Sequence, residues 1–233
     1  MTQPVGPLSA KIMIVGEAPS ETEERKGVPF CGASGEELTT MLGEAGINRS
    51  SCFITNVCRQ RPPRNDIGKY FPTKTQASGA VGVEFLGGKY ALPPVQEGLR
   101  LLYKEIAQVQ PTVILALGNT ALWAVTQNWG IKKWRGSILP FDPILEIWSD
   151  LDDSVPSRIP QPPCKIIPTY HPAAIMRMWA WRAVSVHDMR KAKAESLFPE
   201  LRLHNYQFVV RPSFEQVMES LDGMLKMADN GGA

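Results

Sequence analysis

Three polar side chains of different chemistry follow segments that the sequence predicts to be buried strands. Glu17 supplies a carboxylate after the first segment, Asn56 an amide near the end of the second, and His171 an imidazole after the fourth. The carboxyl ends of parallel strands meet at one edge of a sheet, where ligands bind, so we expect the three to converge. Such groups can position water, read a polar edge and donate a hydrogen bond, but their position alone leaves the reaction open.

Each of these side chains also has a purely structural interpretation. Glu17 can cap the next turn, Asn56 can satisfy loop backbone groups, and His171 can be a packed core histidine. A structural role for all three at the same edge is the weaker interpretation, because it requires three independent coincidences.

The elements that must position these residues alternate between strands and helices. Apolar runs without polar alternation are typical of strands covered on both faces by helices. The stripes between them have helical spacing, and we expect Asn119 to cap one of these helices. The pattern predicts an α/β fold, a three-layer α/β/α domain with a central, mostly parallel four-stranded sheet. The predicted strands are 11–15, 52–57, 112–117 and 165–169.

Composition excludes several classes of protein. The chain has 233 residues and a net charge of +2, which excludes a strongly basic nucleic-acid coat protein. No apolar run approaches the ~20 residues of a membrane span, and no signal-like segment opens the chain, so we expect a cytoplasmic protein without membrane contact. Its four cysteines include no CxxC pair, so we expect no metal site. The absence of GxGxxG and GxxxxGK[ST] disfavours a nucleotide-binding enzyme.

Two long stretches and the tail interrupt the alternation. Residues 59–94 show little periodicity, and a loop of that length is usually functional or disordered. We expect a hairpin or surface loop over 141–163. A strand at 206–210 and a helical stripe from 214 to 221 form the predicted tail.

The ordered motifs of the chain resemble the uracil-DNA glycosylase superfamily, over about residues 11–195. The similarity is greatest to its fourth family and to phage polymerase-associated relatives. The motifs that carry this resemblance are Gly16-Glu17-Ala18-Pro19, Gly27-Val28-Pro29-Phe30 with Gly35, Ile54-Thr55-Asn56-Val57, Arg61-Pro62-Pro63, Leu115-Ala116-Leu117-Gly118, Arg135-Gly136 and Tyr170-His171-Pro172.

The resemblance implies roles for the residues at the predicted sheet edge. Glu17 would position the attacking water, and His171 would hydrogen-bond the departing base. Four residues would bind the substrate, with Phe30 stacking on the extruded base and Asn56 reading its edge. These substrate-binding residues are Gly16, Ala18, Phe30 and Asn56.

The same resemblance suggests how DNA would be held. Arg59, Arg61 and Arg64 follow Asn56 and would contact phosphates, although a solvated basic loop is the alternative. Ile175 and Met176 follow the His-Pro motif, where relatives insert an apolar wedge into the base stack. Burial in a short helix is the alternative there.

The chain also departs from the family pattern. Thermophile members of the fourth family hold an iron–sulfur cluster on four cysteines, but here Gln60 stands where they have one of these and Cys58 is displaced by two positions. We therefore predict no cofactor. Ala173 replaces the usual serine after His-Pro, and the 66–92 insertion is unlike compact members.

The sequence thus predicts a monofunctional glycosylase that flips uracil out of DNA and leaves an abasic site. Excision of a modified pyrimidine, such as a phage hypermodified base, is the nearest alternative, and a non-catalytic DNA-binding protein is the alternative from another class. We assign residues 1–200 to the glycosylase-like domain and 201–233 to a C-terminal appendage. DNA is the expected partner of a monomer, with replication proteins as further candidates.

Overall fold

Strands and helices alternate along most of the chain in the computed structural model, which describes residues 1–149, 151, 164–202 and 211–230. The chain divides into two units, Met1–Leu201 and Arg202–Ala233. The strands are β1 Ile12–Gly16, β2 Phe53–Asn56, β3 Glu84–Leu86, β4 Lys89–Ala91, β5 Val113–Leu117, β6 Leu139–Pro140 and β7 Lys165–Thr169. The α-helices are α1 Glu21–Lys26, α2 Ala33–Glu44, α3 Lys74–Ala77, α4 Pro93–Val109, α5 Asn119–Thr126, α6 Ile131–Trp134, α7 Leu145–Ser149, α8 Pro172–Ile175, α9 Arg182–Glu195 and α10 Phe214–Asn230. Short 3-10 helices cover Arg49–Ser51, Pro63–Asn65, Ile67–Tyr70 and Trp179–Trp181.

Four neighbouring strands of the main sheet are parallel, in the order β2-β1-β5-β7. They confirm the predicted strands and the α/β class. A fifth strand, β6, pairs antiparallel with β7, so the sheet has one strand more than predicted. β6 has only two residues and includes Pro140, so it carries no apolar run that a sequence could reveal. A proline is tolerated there because an edge strand need not donate every N–H.

Alternate side chains of the sheet point into two separate cores. Met13 and Ile114 belong to one buried cluster, and Ile14 and Leu115 belong to the other. Because successive side chains on a strand point to opposite faces, both faces must be covered. Helices α4 and α5 contribute to the first core, and helices α2 and α9 contribute to the second. This arrangement gives the three layers that the sequence predicts.

The predicted cap of the helix after β5 is wrong in detail. Gly118 is the N-cap of α5, and Asn119 is its first residue. The Asn119 side chain instead accepts hydrogen bonds from the backbone N–H groups of Gly130 (3.2 Å) and Ile131 (2.7 Å). Asn119 therefore ties the start of α6 to the carboxyl end of β5.

The long stretch 59–94 folds onto the main domain. Strands β3 and β4 form an antiparallel hairpin, whose turn residues Gly87 and Gly88 both have positive φ. Such turns favour glycine because a Cβ strains that backbone. The Trp123 indole donates to the Gly87 carbonyl at 2.8 Å, and Leu86 is buried in the first core. This stretch is thus anchored by contacts that its weak periodicity does not reveal.

The predicted hairpin or surface loop over 141–163 contains a short helix, α7. Ile144 and, on α7, Ile147 and Trp148 are buried in the first core, so residues 141–149 are not a surface loop. Residues 150 and 152–163 of that predicted loop lie outside the described residues. The predicted strand at 206–210 lies outside them as well. In the second unit, α10 contains the predicted helical stripe.

Candidate active site

The carboxyl ends of β1, β2, β5 and β7 meet at one edge, as predicted. Gly16 on β1 pairs in register with Asn56 on β2, and Leu117 on β5 pairs with Thr169 on β7. A cleft of about 680 Å³ opens along this edge. The residues from the strand ends that line it include Glu17, Ala18, Gly118, Asn119, Tyr170 and His171.

Glu17 is held by a threonine that the sequence reasoning missed. The Thr120 hydroxyl, on the first turn of α5, donates to Glu17 Oε2 at 2.6 Å. Burial raises the pKa of the Glu17 carboxyl, and the Thr120 hydrogen bond opposes that shift. A carboxylate whose pKa is raised binds protons more readily than an exposed one, so Glu17 is suited to accept a proton from water. Thr120 could have been found by extending the strand-end rule two residues beyond Gly118.

His171 is a neutral imidazole whose hydrogen-bond pattern is fixed by the backbone. Burial, with a smaller contribution from the charge of Arg177, lowers the His171 pKa to about 4. The Ala173 backbone N–H donates to His171 Nδ1 at 3.2 Å, so Nδ1 acts as an acceptor. A neutral imidazole with an acceptor at Nδ1 carries its proton on Nε2. His171 therefore has a hydrogen-bond donor available for a substrate oxygen.

Phe30 and Asn56, predicted to bind the substrate, are buried, with 3% and 1% of their surface exposed, and neither is among the residues that line the cleft. The Phe30 ring is 5.6 Å from the His171 ring, centroid to centroid. A Cβ at Gly16 would lie 2.3 Å from Asn56 Oδ1 and 2.5 Å from Phe30 Cζ, so only glycine lets both side chains approach this strand end. Asn56 Nδ2 is buried and has no hydrogen-bond partner among the described residues.

The backbone at Phe30 has a positive φ of 52°, which is uncommon for an aromatic residue. Two charged side chains hold it there. Glu23, another residue missed from sequence, accepts from the Phe30 N–H and from the Ser20 N–H (2.7 Å). Arg49 Nη2 donates to the Phe30 carbonyl at 2.8 Å. Local strain stabilised by its surroundings is typical of binding sites, where it fixes a side chain in place.

Arg59 is not placed to contact phosphate, contrary to the sequence prediction. It is 4% exposed and forms an ion pair with Glu105 at 2.5 Å, and it also donates to the Thr55 hydroxyl. A buried guanidinium keeps its partner, because separating the pair would leave an uncompensated charge. Arg61 is partly exposed and pairs with Glu21 at 3.2 Å, and Arg64 is exposed.

The predicted apolar wedge is reduced to one of its two residues. Ile175 is fully buried in the second core and cannot enter a base stack. This is the burial alternative, and it arises because one face of the short helix α8 packs on the domain. Met176 is 50% exposed, and its neighbours Met178 and Trp179 are also exposed. The His-Pro motif ends before Met178 and Trp179, so the motif did not single out these two exposed apolar residues.

The cysteines do not fit a four-cysteine cluster. Cys52 precedes β2 and Cys58 follows it, so the two lie at opposite ends of one strand. Burial raises the pKa of the Cys58 and Cys164 thiols to about 12, so neither thiol ionises readily. The residues that the structure describes contain no group of three or more His, Cys, Asp or Glu side chains that could hold a metal.

The helices of the described residues include no candidate for a membrane span.

Together, the three-layer fold and the carboxylate, buried amide and neutral imidazole at its strand ends fit an α/β enzyme. A family model described as the uracil DNA glycosylase superfamily matches residues 3–201. The chain belongs to this superfamily, as the resemblance of its motifs implies.

Individual relatives agree with this membership. The chain is 32% identical over 193 residues to a Type-4 uracil-DNA glycosylase of Thermotoga maritima, covering 81% of this chain and 79% of the relative. It is 30% identical over 192 residues to a Type-4 uracil-DNA glycosylase of Archaeoglobus fulgidus, covering 80% and 77%. It is also 26% identical over 134 residues to a DNA polymerase of Bacillus phage SP01, covering 57% of this chain and 12% of the polymerase.

Proposed function

We propose that the protein excises uracil from DNA by hydrolysing the N-glycosidic bond and leaves an abasic site. The observation that carries this proposal is the buried Asn56 amide, whose Nδ2 has no partner among the described residues. An unsatisfied buried donor costs about 1–3 kcal/mol, and a ligand that brings an acceptor to it removes that cost. Uracil supplies the missing acceptor. Relatives named Type-4 uracil-DNA glycosylase support the same substrate.

Recognition requires that the base leave the duplex stack. Flipping a base costs a few kcal/mol, and stacking on an aromatic ring such as Phe30 returns about 1–3 kcal/mol. The Asn56 oxygen then accepts from uracil N3–H, and its NH2 group donates to O4. Cytosine presents an acceptor at N3 and a donor at N4, so both contacts would be mismatched.

Glu17 and His171 act on the two sides of the breaking bond, Glu17 on the attacking water and His171 on the departing base. The bond between sugar C1′ and base N1 breaks, and its electron pair leaves with uracil as negative charge shared with O2. His171 Nε2–H donates to O2 and stabilises this charge more in the transition state than in the ground state. A water oxygen bonds to C1′ while Glu17 accepts its proton. Because water is the nucleophile, the strand itself stays intact.

The remaining contacts of this proposal lie around the cleft. Arg61 and Arg64 contact phosphates, and the exposed Met176 fills the gap that the flipped base leaves. Ala173 holds His171 through its backbone N–H, a contact that alanine supplies as well as serine. We assign the activity to residues 1–200 of a monomer. A cytoplasmic location and replication partners stay predictions.

An excision assay tests the function directly. The full chain is incubated with oligonucleotides that carry one uracil, a modified pyrimidine or none, and the products are treated with alkali. We expect an alkali-labile site only at uracil, and an intact strand before alkali. Tight binding without any labile site would indicate the non-catalytic alternative. Faster excision of a modified pyrimidine would show that this base, and not uracil, is the preferred substrate.

The pH dependence of excision should follow Glu17. Its pKa is raised by burial and its active form is the carboxylate, so activity should rise as the pH increases through a value above that of an ordinary glutamate. His171, with a pKa of about 4, stays neutral over this range. Single-turnover rates measured against pH should show this acid limb in the wild type and a low, flat profile in Glu17→Gln. An unchanged acid limb in Glu17→Gln would assign it to another group.

A further inference from the structure

Two cations at the mouth of the cleft are not explained by the base chemistry. Lys132 on α6 and Arg177, just after α8, both line the cleft and are exposed. No carboxylate forms an ion pair with either of these rim cations within the part of the chain that the structure describes. Their charge is therefore available to a ligand.

Two of the three cations expected from the sequence to follow the DNA are less available. Arg59 is buried against Glu105, and Arg61 is shared between Glu21 and the Asn65 side chain, to which its Nε donates at 2.6 Å. A strand that carries one negative charge per phosphate needs cations beside the point of reaction.

Arg177 is electrostatically close to the reacting groups. Its charge lowers the pKa of both Glu17 and His171, in each case as a smaller effect than burial. Arg177 also lines the same cleft as Glu17 and His171, so its charge lies beside the space that a flipped nucleotide would occupy. Arg177 also has a fixed backbone, because its N–H donates to the Ala174 carbonyl at 3.2 Å.

Lys132 is positioned by a chain of contacts from the sheet. Its ammonium lies 5.5 Å from the centre of the Trp181 ring, and that ring stacks on Tyr170 at 4.4 Å with an angle of 15°. Tyr170 directly follows β7 and precedes His171. The start of α6 is tied to Asn119 as described above. Lys132 is therefore held near the catalytic histidine by the same elements that place the histidine.

We propose that Lys132 and Arg177 each bind a backbone phosphate of the DNA strand, next to the nucleotide that is flipped into the cleft. The inference rests on the proposed function, because it assumes that the strand enters this cleft. The planar guanidinium of Arg177 can pair with two phosphate oxygens, and Lys132 acts as a point charge. The two contacts hold the sugar beside Glu17 and His171 and carry no sequence information.

Salt-dependent binding tests this assignment independently of excision. The probe is an oligonucleotide with a tetrahydrofuran abasic analogue, which cannot be cleaved, and affinity is measured by anisotropy over a series of salt concentrations. Each of Lys132→Gln and Arg177→Gln should reduce the slope of log K against log [salt] by about 0.7 on a single strand and about 0.9 on a duplex. The double variant should lose both contributions.

Charge-matched variants complete the test. Lys133→Gln removes the neighbouring charge of α6, which lies over Trp134 and does not line the cleft, and should leave the slope unchanged. Lys132→Arg and Arg177→Lys should keep the wild-type slope. Unchanged slopes in both glutamine variants, or an equal loss in Lys133→Gln, would overturn the assignment. Normal slopes without uracil excision would contradict the proposed function and leave the phosphate contacts standing.

Discussion

Replacing His171 by alanine should lower single-turnover uracil excision by about 100–1,000-fold, with DNA binding little changed. The imidazole is neutral with its proton on Nε2. In the proposed reaction it would donate that proton in a hydrogen bond to the base oxygen on which charge develops. Removing a preplaced donor of this kind raises the transition state far more than it weakens the ground-state complex. The rate is measured with enzyme in excess over a uracil oligonucleotide, and binding is measured on the uncleavable abasic analogue.

A matched control exists in the same chain. His187 is exposed on α9 and does not line the cleft, so His187→Ala should excise uracil at the wild-type rate. A near wild-type rate in His171→Ala would remove the imidazole from the chemistry. A loss in His171→Ala that is matched by a loss of DNA binding would indicate a positioning role instead.

The sheet could be predicted because its strands are covered on both faces. Such strands are continuous apolar runs in β1 and β5, and shorter apolar pairs, Phe53-Ile54 and Ile166-Ile167, indicate β2 and β7. The hairpin β3–β4 could not be found in this way. Its strands have three residues each, and its fixed points are the Gly87 carbonyl bond to Trp123 and the burial of Leu86, which depend on distant parts of the chain.

The candidate site could be predicted where it depends on topology, and less well where it depends on packing. Glu17, Asn56 and His171 come to one edge because parallel strands bring their carboxyl ends together. Whether Arg59 faces solvent depends on Glu105, which is 46 residues away in sequence. Ile175 and Met176 are adjacent and both apolar, and only the tertiary structure shows that the first is buried and the second exposed.

Asn56→Asp should show whether the amide reads the pyrimidine edge. In the free protein Nδ2 has no partner among the described residues, so its loss breaks no hydrogen bond of the fold that the structure shows. Loss of the donor should therefore act mainly on base recognition, while the carboxyl group adds a desolvation cost at this buried position. With uracil bound, the variant loses the donor to O4 and places a carboxyl oxygen against another oxygen. A buried site that loses paired hydrogen bonds discriminates by factors of about 10,000 or more.

We predict that Asn56→Asp loses most uracil excision and gains weak but measurable cytosine excision, because a carboxylate can accept from the cytosine N4 amine. Abasic sites are measured on matched oligonucleotides with one uracil or one unpaired cytosine. Asn48→Asp is the control, because the exposed Asn48 side chain only accepts, from Ser50, and aspartate can do the same. Wild-type uracil excision by Asn56→Asp would make Asn56 a structural residue. Loss of uracil excision with no gain on cytosine would still support recognition of uracil by Asn56. It would also show that exchanging the donor for an acceptor is not enough to switch the substrate to cytosine.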